Sequence, residues 1–429
     1  MNISQESLLE TKKNLSSAWL IWGLAATFFF SDYMARVSPT VMHKYLQHDF
    51  GINEVGFATL TSFFYIPYIL MQIPVGLTVD RFKIRYLLTS MSILTAIGCC
   101  VFGAADGLAM ASFARLLIGF SAAFAFISAL RLATSWFPSS MLGLLAGLTQ
   151  ALGMLGASAG QAPLSFLVAA VGWRSSMFVI SILFIALAIL MFIYIQDRPA
   201  IVSDKSKSPV LKYNIFQSLK VVLSSKQTWL NALYAGFLYG PSTVIGEAIG
   251  PAYLEYGRGF SAHNAAFAVS LIFIGWVFGG PIAGIVSDKI GRRKPLMIIS
   301  AVCGLIFTSV FVFFPSMSSW IAYLVFFAYG ITNTGVAISY AVSTELHSRA
   351  VVGTAIAFTN MLSIFVGALL QPIVGFLIDH ISNGRGFNVE SLLLSDFQYG
   401  LKILPVSSLI ALVLAFLVKE TYCKPVIKR

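Results

Sequence analysis

Residues 284–293 read GIVSDKIGRR, and residues 76–85, which lie 208 positions earlier, read GLTVDRFKIR. Both segments have a glycine first, an aspartate four residues later, a basic residue directly after the aspartate, and an arginine last. Each segment also follows a long apolar run and precedes another. A repeated segment at this separation indicates that the chain consists of two related halves.

The composition excludes an ordinary soluble protein. The chain has 429 residues, of which 58% are hydrophobic and only 10% are charged. A soluble domain carries about 25% charged residues, so this chain has too few to cover a water-facing surface. The class is therefore a polytopic membrane protein.

Twelve apolar segments are long enough to cross a bilayer, which takes about 20 residues as a helix. Backbone groups that face lipid must bond within their own segment, so all of them are expected to be helices. The predicted fold is all-α, with twelve transmembrane helices in two pseudo-symmetric six-helix bundles. The approximate spans are 17–41, 55–79, 86–104, 108–132, 142–170, 174–195, 229–252, 264–287, 295–314, 318–344, 350–378 and 400–418.

The predicted domain organisation follows from these spans. An N-terminal tail, 1–16, precedes the first bundle, 17–196. A polar and mainly basic linker, 197–228, leads to the second bundle, 229–418, and a short tail, 419–429, follows.

The basic residues predict the orientation. With both termini in the cytoplasm, 20 of the 28 Lys and Arg residues fall in cytoplasmic segments, as the positive-inside rule requires. The net charge of +11 is thus explained by topology in an inner or plasma membrane and not by nucleic-acid binding. The four cysteines have no CxxC spacing and indicate neither a metal site nor a disulfide framework.

The repeated segment resembles the loop motif of the major facilitator superfamily, and the resemblance extends over essentially the whole chain. The second copy matches the motif fully, whereas the first has Lys83 in place of a glycine. The resemblance implies a cytoplasmic gate in which charge pairing holds the cytoplasmic face shut. The predicted gate residues are Gly76, Asp80, Arg81, Arg85, Gly284, Asp288, Lys289, Gly291, Arg292 and Arg293.

Within the superfamily, the first half looks most similar to the anion:cation symporters, which carry organic anions, usually with protons. The matching elements are Tyr33-x-x-Arg36, Tyr68-x-x-x-Gln72 and Arg115-x-x-x-Gly119. The chain departs from this group at two positions where the group has an acid, because Ala35 and Ala122 stand there instead. Both usual proton-carrying carboxylates are therefore missing.

Two arginines are the first candidate substrate ligands, because ionisable residues inside a membrane are costly and mark functional sites. Arg36 and Arg115 lie at similar depths in helices 1 and 4, which the resemblance places at the central cavity. We predict that their guanidinium groups converge on one carboxylate or phosphate. The alternative for Arg115 is that it snorkels to the outer interface or packs structurally.

Two acids are the candidate proton-coupling residues. Asp32 precedes Arg36 by four residues, a spacing that places both on one helix face, and a proton on Asp32 would respond to anion binding at Arg36. The alternative is a permanent structural ion pair between the two. Glu247 lies in the seventh apolar segment and is a second proton site, a cation contact or an outer-end polar residue.

Neutral polar residues in the expected cavity helices either bind the substrate by hydrogen bonds or bridge helices. These candidates are Tyr33, Tyr234, Tyr239, Gln150, Asn333 and Asn360.

The function that these features favour is alternating-access transport of a small organic anion or zwitterion, with proton-coupled uptake. The alternatives are an importer of amino acids, peptides or a carboxylate siderophore and, less favoured, a multidrug or metabolite exporter. An ATP-driven pump is not expected, since the chain has no phosphate-binding GxxxxGK[ST] segment. An enzyme is not expected either, since the chain has no HExxH motif and no cluster of histidines. The expected partners are the substrate, H+ and the lipid bilayer, with no cofactor, no metal and a monomeric chain.

The topology predicts how two positions react with a membrane-impermeant thiol reagent. In a variant whose four native cysteines are replaced by serine, Asn388→Cys is expected to be labelled in intact cells. Ser203→Cys, in the linker, is expected to be labelled only after the membrane is opened, because it faces the cytoplasm. Labelling of both positions in intact cells would contradict the topology.

Overall fold

The computed structural model describes residues 3–137, 141–196, 215–314, 316–348, 351–382, 384–385 and 388–424. These residues form helices joined by short connections, and no β-strand occurs within them. The all-α class predicted from the sequence is therefore confirmed.

In the part of the chain that the structure describes, ten α-helices belong to the first half and ten to the second. Several apolar segments are divided into two helices by a short break, as between α3 and α4 and between α6 and α7. The helices are α1 (Ile3–Val37), α2 (His43–Phe50), α3 (Glu54–Ser62), α4 (Tyr65–Arg81), α5 (Ile84–Gly103), α6 (Leu108–Ala122), α7 (Ala125–Trp136), α8 (Leu142–Ala159), α9 (Ala162–Val171) and α10 (Trp173–Tyr194).

The second half contains ten further α-helices and two short π-helices, Ile245–Ile249 and Tyr253–Gly257. The α-helices are α11 (Ile215–Leu223), α12 (Lys226–Val244), α13 (Gly250–Ala252), α14 (Ala262–Ile290), α15 (Lys294–Phe313), α16 (Ser319–Thr332), α17 (Gly335–Leu346), α18 (Val352–Ser382), α19 (Leu394–Leu401) and α20 (Ile403–Leu417). Short 3-10 helices span Ser38–Met42 and Val389–Ser391.

Ten helical segments of the described chain are long and apolar enough to cross a membrane. They correspond to ten of the twelve predicted spans, and the chain is a multi-pass membrane protein. The other two predicted spans, 17–41 and 229–252, are helical, but their polar residues lower the mean hydropathy. Those two segments also carry Asp32, Arg36 and Glu247, so the polar residues that weaken the membrane signal belong to the candidate site.

Contacts near the ends of helices define two ends of the molecule. At the first, which we call the Asp49 end, Trp173 Nε1 donates to Asp49 Oδ2 at 3.0 Å, and Gln47 Oε1 accepts from the backbone N–H of Val389 at 2.8 Å. At the second, the Arg293 end, the Lys294 ammonium donates to the Phe416 carbonyl at 2.6 Å. The predicted topology places the Asp49 end outside the cell.

Hydrogen bonds join the two halves of the chain at the Asp49 end. The carboxylate of Asp379, near the end of α18, accepts from the backbone N–H groups of Glu54 and Val55 at 3.3 and 2.9 Å. These N–H groups lie in the first turn of α3, where they have no partner within the helix. The second half thus binds the helix terminus of the first.

Helix α8 packs closely against α1 through a glycine. A Cβ atom at Gly156 would overlap the backbone carbonyl of Phe30. The absent side chain therefore lets α8 touch the backbone of α1 shortly before Arg36.

This contact predicts a difference between two Gly→Ala variants in one helix. Gly156→Ala is expected to lower the stability by about 1–3 kcal/mol, because the added methyl group forces the helices apart. Gly147→Ala, where nothing lies within 4 Å, is the matched control and is expected to be neutral or stabilising. Thermal unfolding of the detergent-purified variants measures both, and equal melting temperatures would contradict the close packing.

Candidate functional site

Arg36 lies where the α-helix α1 ends and a 3-10 helix begins. Helix α1 ends at Val37, and the buried 3-10 helix Ser38–Met42 follows, with Pro39 in its first turn. Proline lacks a backbone N–H and so favours such a break. Arg36 lies in the last turn of α1, and only 2% of it is exposed.

Arg115 contacts the backbone of α1. Its Nη1 donates to the carbonyl of Ala35 at 3.1 Å, and its Nη2 donates to the carbonyl of Arg36 at 2.9 Å. The last carbonyls of a helix have no partner within it, and Arg115 supplies one. In the structure, Arg115 therefore binds the carbonyl groups at the end of α1. The sequence predicts instead that Arg115 faces an anion beside Arg36. Its role as a substrate ligand stays a prediction.

Aromatic rings surround the guanidinium group of Arg36. The central carbon of that group lies 5.0 Å from the ring centres of Tyr33 and Tyr65, 5.6 Å from that of Phe64 and 5.8 Å from that of Tyr68. Three of the rings come from the α3–α4 break and the first turn of α4. Cation–π attraction stabilises a desolvated cation by about 2 kcal/mol, so the rings hold the charge without neutralising it.

Glu247 projects from a π-helix, Ile245–Ile249. Two residues favour the wider turn. Pro251 has no N–H to donate to the carbonyl of Glu247, four residues earlier, and a Cβ at Gly250 would overlap the carbonyl of Ile245. Single π-turns inside α-helices are frequent at functional sites.

Arg36 and Glu247 form a buried ion pair between the two halves of the chain. Arg36 Nε donates to Glu247 Oε2 at 3.0 Å, and Nη2 lies 2.9 Å from the same oxygen. Each side chain is 1% exposed. The hydroxyl of Tyr239 donates to Oε1 at 3.1 Å, and that of Tyr65 donates to Oε2. One carboxylate therefore has three hydrogen-bond donors and one further ionic contact with Arg36 Nη2, which itself forms no hydrogen bond. Together these contacts offset the cost of removing both charges from water.

Asp32 is not the counter-ion of Arg36 in this arrangement. It is buried, and its Oδ1 has no hydrogen-bond partner, although Arg36 and Arg115 both attract it electrostatically. The spacing of four residues places two side chains on one face of a helix, but Arg36 lies at the helix end and extends to a carboxylate from the other half. Asp32 is therefore a buried carboxyl group with one oxygen that accepts no hydrogen bond.

Gln371 of α18 connects the ion pair to both halves. Its Nε2 lies 3.4 Å from the Tyr65 hydroxyl and donates to the carbonyl of Thr243 at 3.2 Å. The hydroxyl of Thr61 donates to its Oε1 at 2.9 Å.

Asn360, one of the predicted polar ligands, also lies between the halves. Its Nδ2 donates to Gln72 Oε1 at 3.0 Å, and its Oδ1 accepts from the Tyr340 hydroxyl at 2.9 Å. The contact with Gln72 joins the two halves, whereas that with Tyr340 lies within the second half.

Three of the predicted polar ligands lie apart from the ion pair. The Tyr234 hydroxyl donates to the carbonyl of Met297 at 2.9 Å, and Asn333 Nδ2 donates to the carbonyl of Leu238 at 3.1 Å. These two bridge helices within the second half. Gln150 is half-buried in α8, and among the described residues no hydrogen bond joins it to the ion pair.

Tyr65 and Gln371 belong to the site but are not among the residues predicted from the sequence, where Tyr68 appears only as part of a motif. Tyr65 and Tyr68 are three residues apart, a spacing that places both on one helix face, so this pattern could have identified them. Gln371 stands alone in an apolar helix and reaches the site only through the fold.

The second copy of the repeated segment forms a charge cluster at the Arg293 end. Arg293 Nη2 lies 2.8 Å from Glu345 Oε1, and Nη1 lies 2.7 Å from Asp288 Oδ1. Gly291 ends α14 in the left-handed conformation, with φ of +70°, which glycine adopts without strain. Of the other predicted gate residues here, Lys289 is exposed and Arg292 stacks on Tyr422 at 5.9 Å.

Glu420 binds the beginning of α15. Its carboxylate oxygens accept from the backbone N–H groups of Arg293 and Lys294 at 2.9 and 3.0 Å. Partial burial acts to raise the pKa of Glu420, but these and neighbouring backbone N–H groups stabilise the ionised form and hold the pKa below its usual range. Residues after α20 are thus part of the Arg293 end.

In the first copy of the repeated segment, the surroundings of Gly76 and the side chains of Asp80 and Arg81 lie outside the described part of the structure. Arg85 is described, and its guanidinium carbon lies 4.4 Å from the ring centre of Phe192.

Residues 22–372 match the sequence profile of the Major Facilitator Superfamily. The chain belongs to this superfamily. The resemblance inferred from the repeated segment is therefore confirmed, and the protein is a transporter of this class and not an enzyme.

Curated members of the superfamily that resemble the chain are anion transporters by name. A probable sulfoacetate transporter of Cupriavidus necator is 24% identical over 66% of this chain and 67% of its own length. A probable galactarate/D-glucarate transporter of Bacillus subtilis is 23% identical over 89% of this chain and 90% of its own length. A hexuronate transporter of the same organism is 22% identical over 83% and 86%.

The fold is similar to that of solved transporter structures. A bacterial homologue of the human lysosomal transporter Spinster, in an inward-facing and unoccupied conformation, superposes with a TM-score of 0.78 at 16% identity. The match covers 94% of this chain and 97% of that one. At this identity the likeness concerns the fold alone.

Proposed function

We propose that the protein is a secondary active transporter that imports a small organic anion with protons, and that Arg36 binds the anionic group. The observation that carries this proposal is the position of Arg36. A permanent positive charge lies buried at the junction of the two halves, in a superfamily whose similar members are named as carriers of sulfoacetate and sugar acids. An intramembrane arginine is costly and marks a substrate pathway.

Alternating access explains why the site lies between the halves. In this proposal the chain has twelve transmembrane helices in two six-helix bundles, with both termini in the cytoplasm. The contacts of Asp379 with α3 close the Asp49 end. These contacts have to break when the site opens outward. The opposing gate lies at the Arg293 end, where the charge cluster holds together elements of the second half.

The proposal predicts a loss of uptake when the guanidinium group of Arg36 is replaced. Arg36→Lys keeps the charge but loses the planar fork, so uptake is expected to fall on the order of tenfold or more. The assay is uptake into proteoliposomes of D-glucarate, D-glucuronate and sulfoacetate, with amino acids and dipeptides testing the alternative substrates. Arg385→Lys, at a partly exposed pair with Asp396, is the matched control. Unchanged uptake and affinity in Arg36→Ala would remove Arg36 from the site.

Proton coupling in this proposal rests on Asp32, with Glu247 as the second candidate. Asp32 lies one helical turn from Arg36 and has a buried oxygen without a partner. Glu247 already lies at Arg36, so an anion that binds there adds a second negative charge near Asp32 and favours its protonated form. Anion and proton would then bind with positive coupling, and each would tighten the other.

Asp32→Asn mimics the protonated form and tests this coupling. The variant is expected to keep anion binding, to lose the pH dependence of that binding, and to lose accumulation driven by a pH gradient. Counterflow exchange needs no net proton movement and is expected to persist. If Asp32→Asn still concentrates the anion with the wild-type pH profile, Asp32 is not the coupling residue, and Glu247 becomes the candidate.

A further inference from the structure

We infer that the carboxylate of Glu247 occupies the position of the substrate's own anionic group, and that this position accepts a planar carboxylate in preference to a tetrahedral oxyanion. The inference rests on the proposed function, since it concerns the same Arg36 site. It adds that Glu247, as part of the chain, competes with the substrate for this site.

The donors around Glu247 form a complete carboxylate-binding position. Arg36 Nε and Nη2 approach one oxygen at 3.0 and 2.9 Å, together with the Tyr65 hydroxyl, and the Tyr239 hydroxyl approaches the other at 3.1 Å. Charge-assisted bonds of this kind are the strong ones. Nothing in the arrangement depends on the carboxylate being attached to the chain at residue 247.

The shape of the position favours two acceptor oxygens over three. Three hydrogen-bond donors, all on described residues, point at the two oxygens of one carboxylate, and Arg36 Nη2 lies against the same oxygen as Nε without forming a hydrogen bond. The guanidinium group is otherwise enclosed by the rings of Tyr33, Phe64 and Tyr68. A sulfonate or phosphate would bring a third oxygen toward those rings, and a buried oxygen without a donor is costly.

Displacement of Glu247 connects binding to movement. The pair that the substrate replaces is also an ion pair between the two halves of the chain. A substrate carboxylate that takes Arg36 therefore removes one of the bonds that hold the halves together.

Chemical rescue tests the inference without transport. Glu247→Ala leaves the donors in place and removes the acceptor, so the variant is expected to melt below the wild type. Acetate is the probe, because it is a free carboxylate of the same size as the missing group. At about ten times its Kd, acetate is expected to raise the melting temperature of Glu247→Ala by about 3 °C. Methanesulfonate and inorganic phosphate, at equal ionic strength and pH, are expected to produce smaller shifts.

The controls show whether acetate acts at the position that the Glu247 carboxylate has vacated. In the wild type and in Glu247→Gln a side chain fills the position, so neither is expected to respond to acetate. If Glu247→Ala cannot be purified in a folded state, Glu247→Ser replaces it with the same expectations. A missing acetate response in the variant, or an equal response in the wild type, would overturn the inference. An equal response to methanesulfonate would overturn the preference for a planar group.

Failure of the inference can be told apart from failure of the proposed function. A protein that takes up sugar acids through Arg36 but whose Glu247→Ala variant ignores acetate contradicts only the inference. A protein whose Glu247→Ala variant responds to acetate but which transports no organic anion contradicts the proposed function instead.

Discussion

The ion pair of Arg36 with Glu247 is the interaction on which the rest of the site depends. It lies where water is excluded, and breaking such a pair by removal of one partner costs about 3–5 kcal/mol. The surrounding elements all serve to place it. The end of α1 directs Arg36 inward, the π-helix presents Glu247, and the α3–α4 break and the first turn of α4 supply three of the four rings and one hydroxyl donor. Since the two residues belong to different halves of the chain, the pair also affects how the halves contact each other.

The two ends of the molecule use different physical means to join elements. At the Asp49 end, a carboxylate binds the free N–H groups of a helix terminus across the halves. At the Arg293 end, an arginine lies between two carboxylates, and Glu420 binds the adjacent helix terminus. The favourable interaction of an acid with a helix N-terminus thus recurs at both ends, although the participating segments are unrelated.

Much of the fold could be predicted from the sequence, because membrane helices are encoded locally. Long apolar runs and the repeat at residues 76–85 and 284–293 are visible without tertiary information. The position of Arg36 was also identifiable, since a charge within an apolar run is rare. The predicted spans 17–41 and 229–252 are not among the ten apolar helical segments of the described structure. These two spans carry the site, where polar residues replace apolar ones.

The partners of the charged residues could not be predicted in the same way. Arg36 and Glu247 are 211 positions apart, and no local spacing relates them, whereas Asp32 has the spacing of a helical pair with Arg36 but does not form it. The contact of Arg115 was hidden for another reason. Its acceptors are main-chain carbonyls, which leave no trace in the choice of amino acids.

That last contact has a consequence for how such a protein can evolve. Main-chain carbonyls are supplied by every residue type, so Arg115 can hold the end of α1 whatever side chain stands at position 35. The hydrogen bonds that anchor the helix therefore do not depend on which side chains the helix carries. Ala35 itself is fully buried, so a mutation there is limited by the space around its side chain and not by loss of the hydrogen bond that anchors the helix.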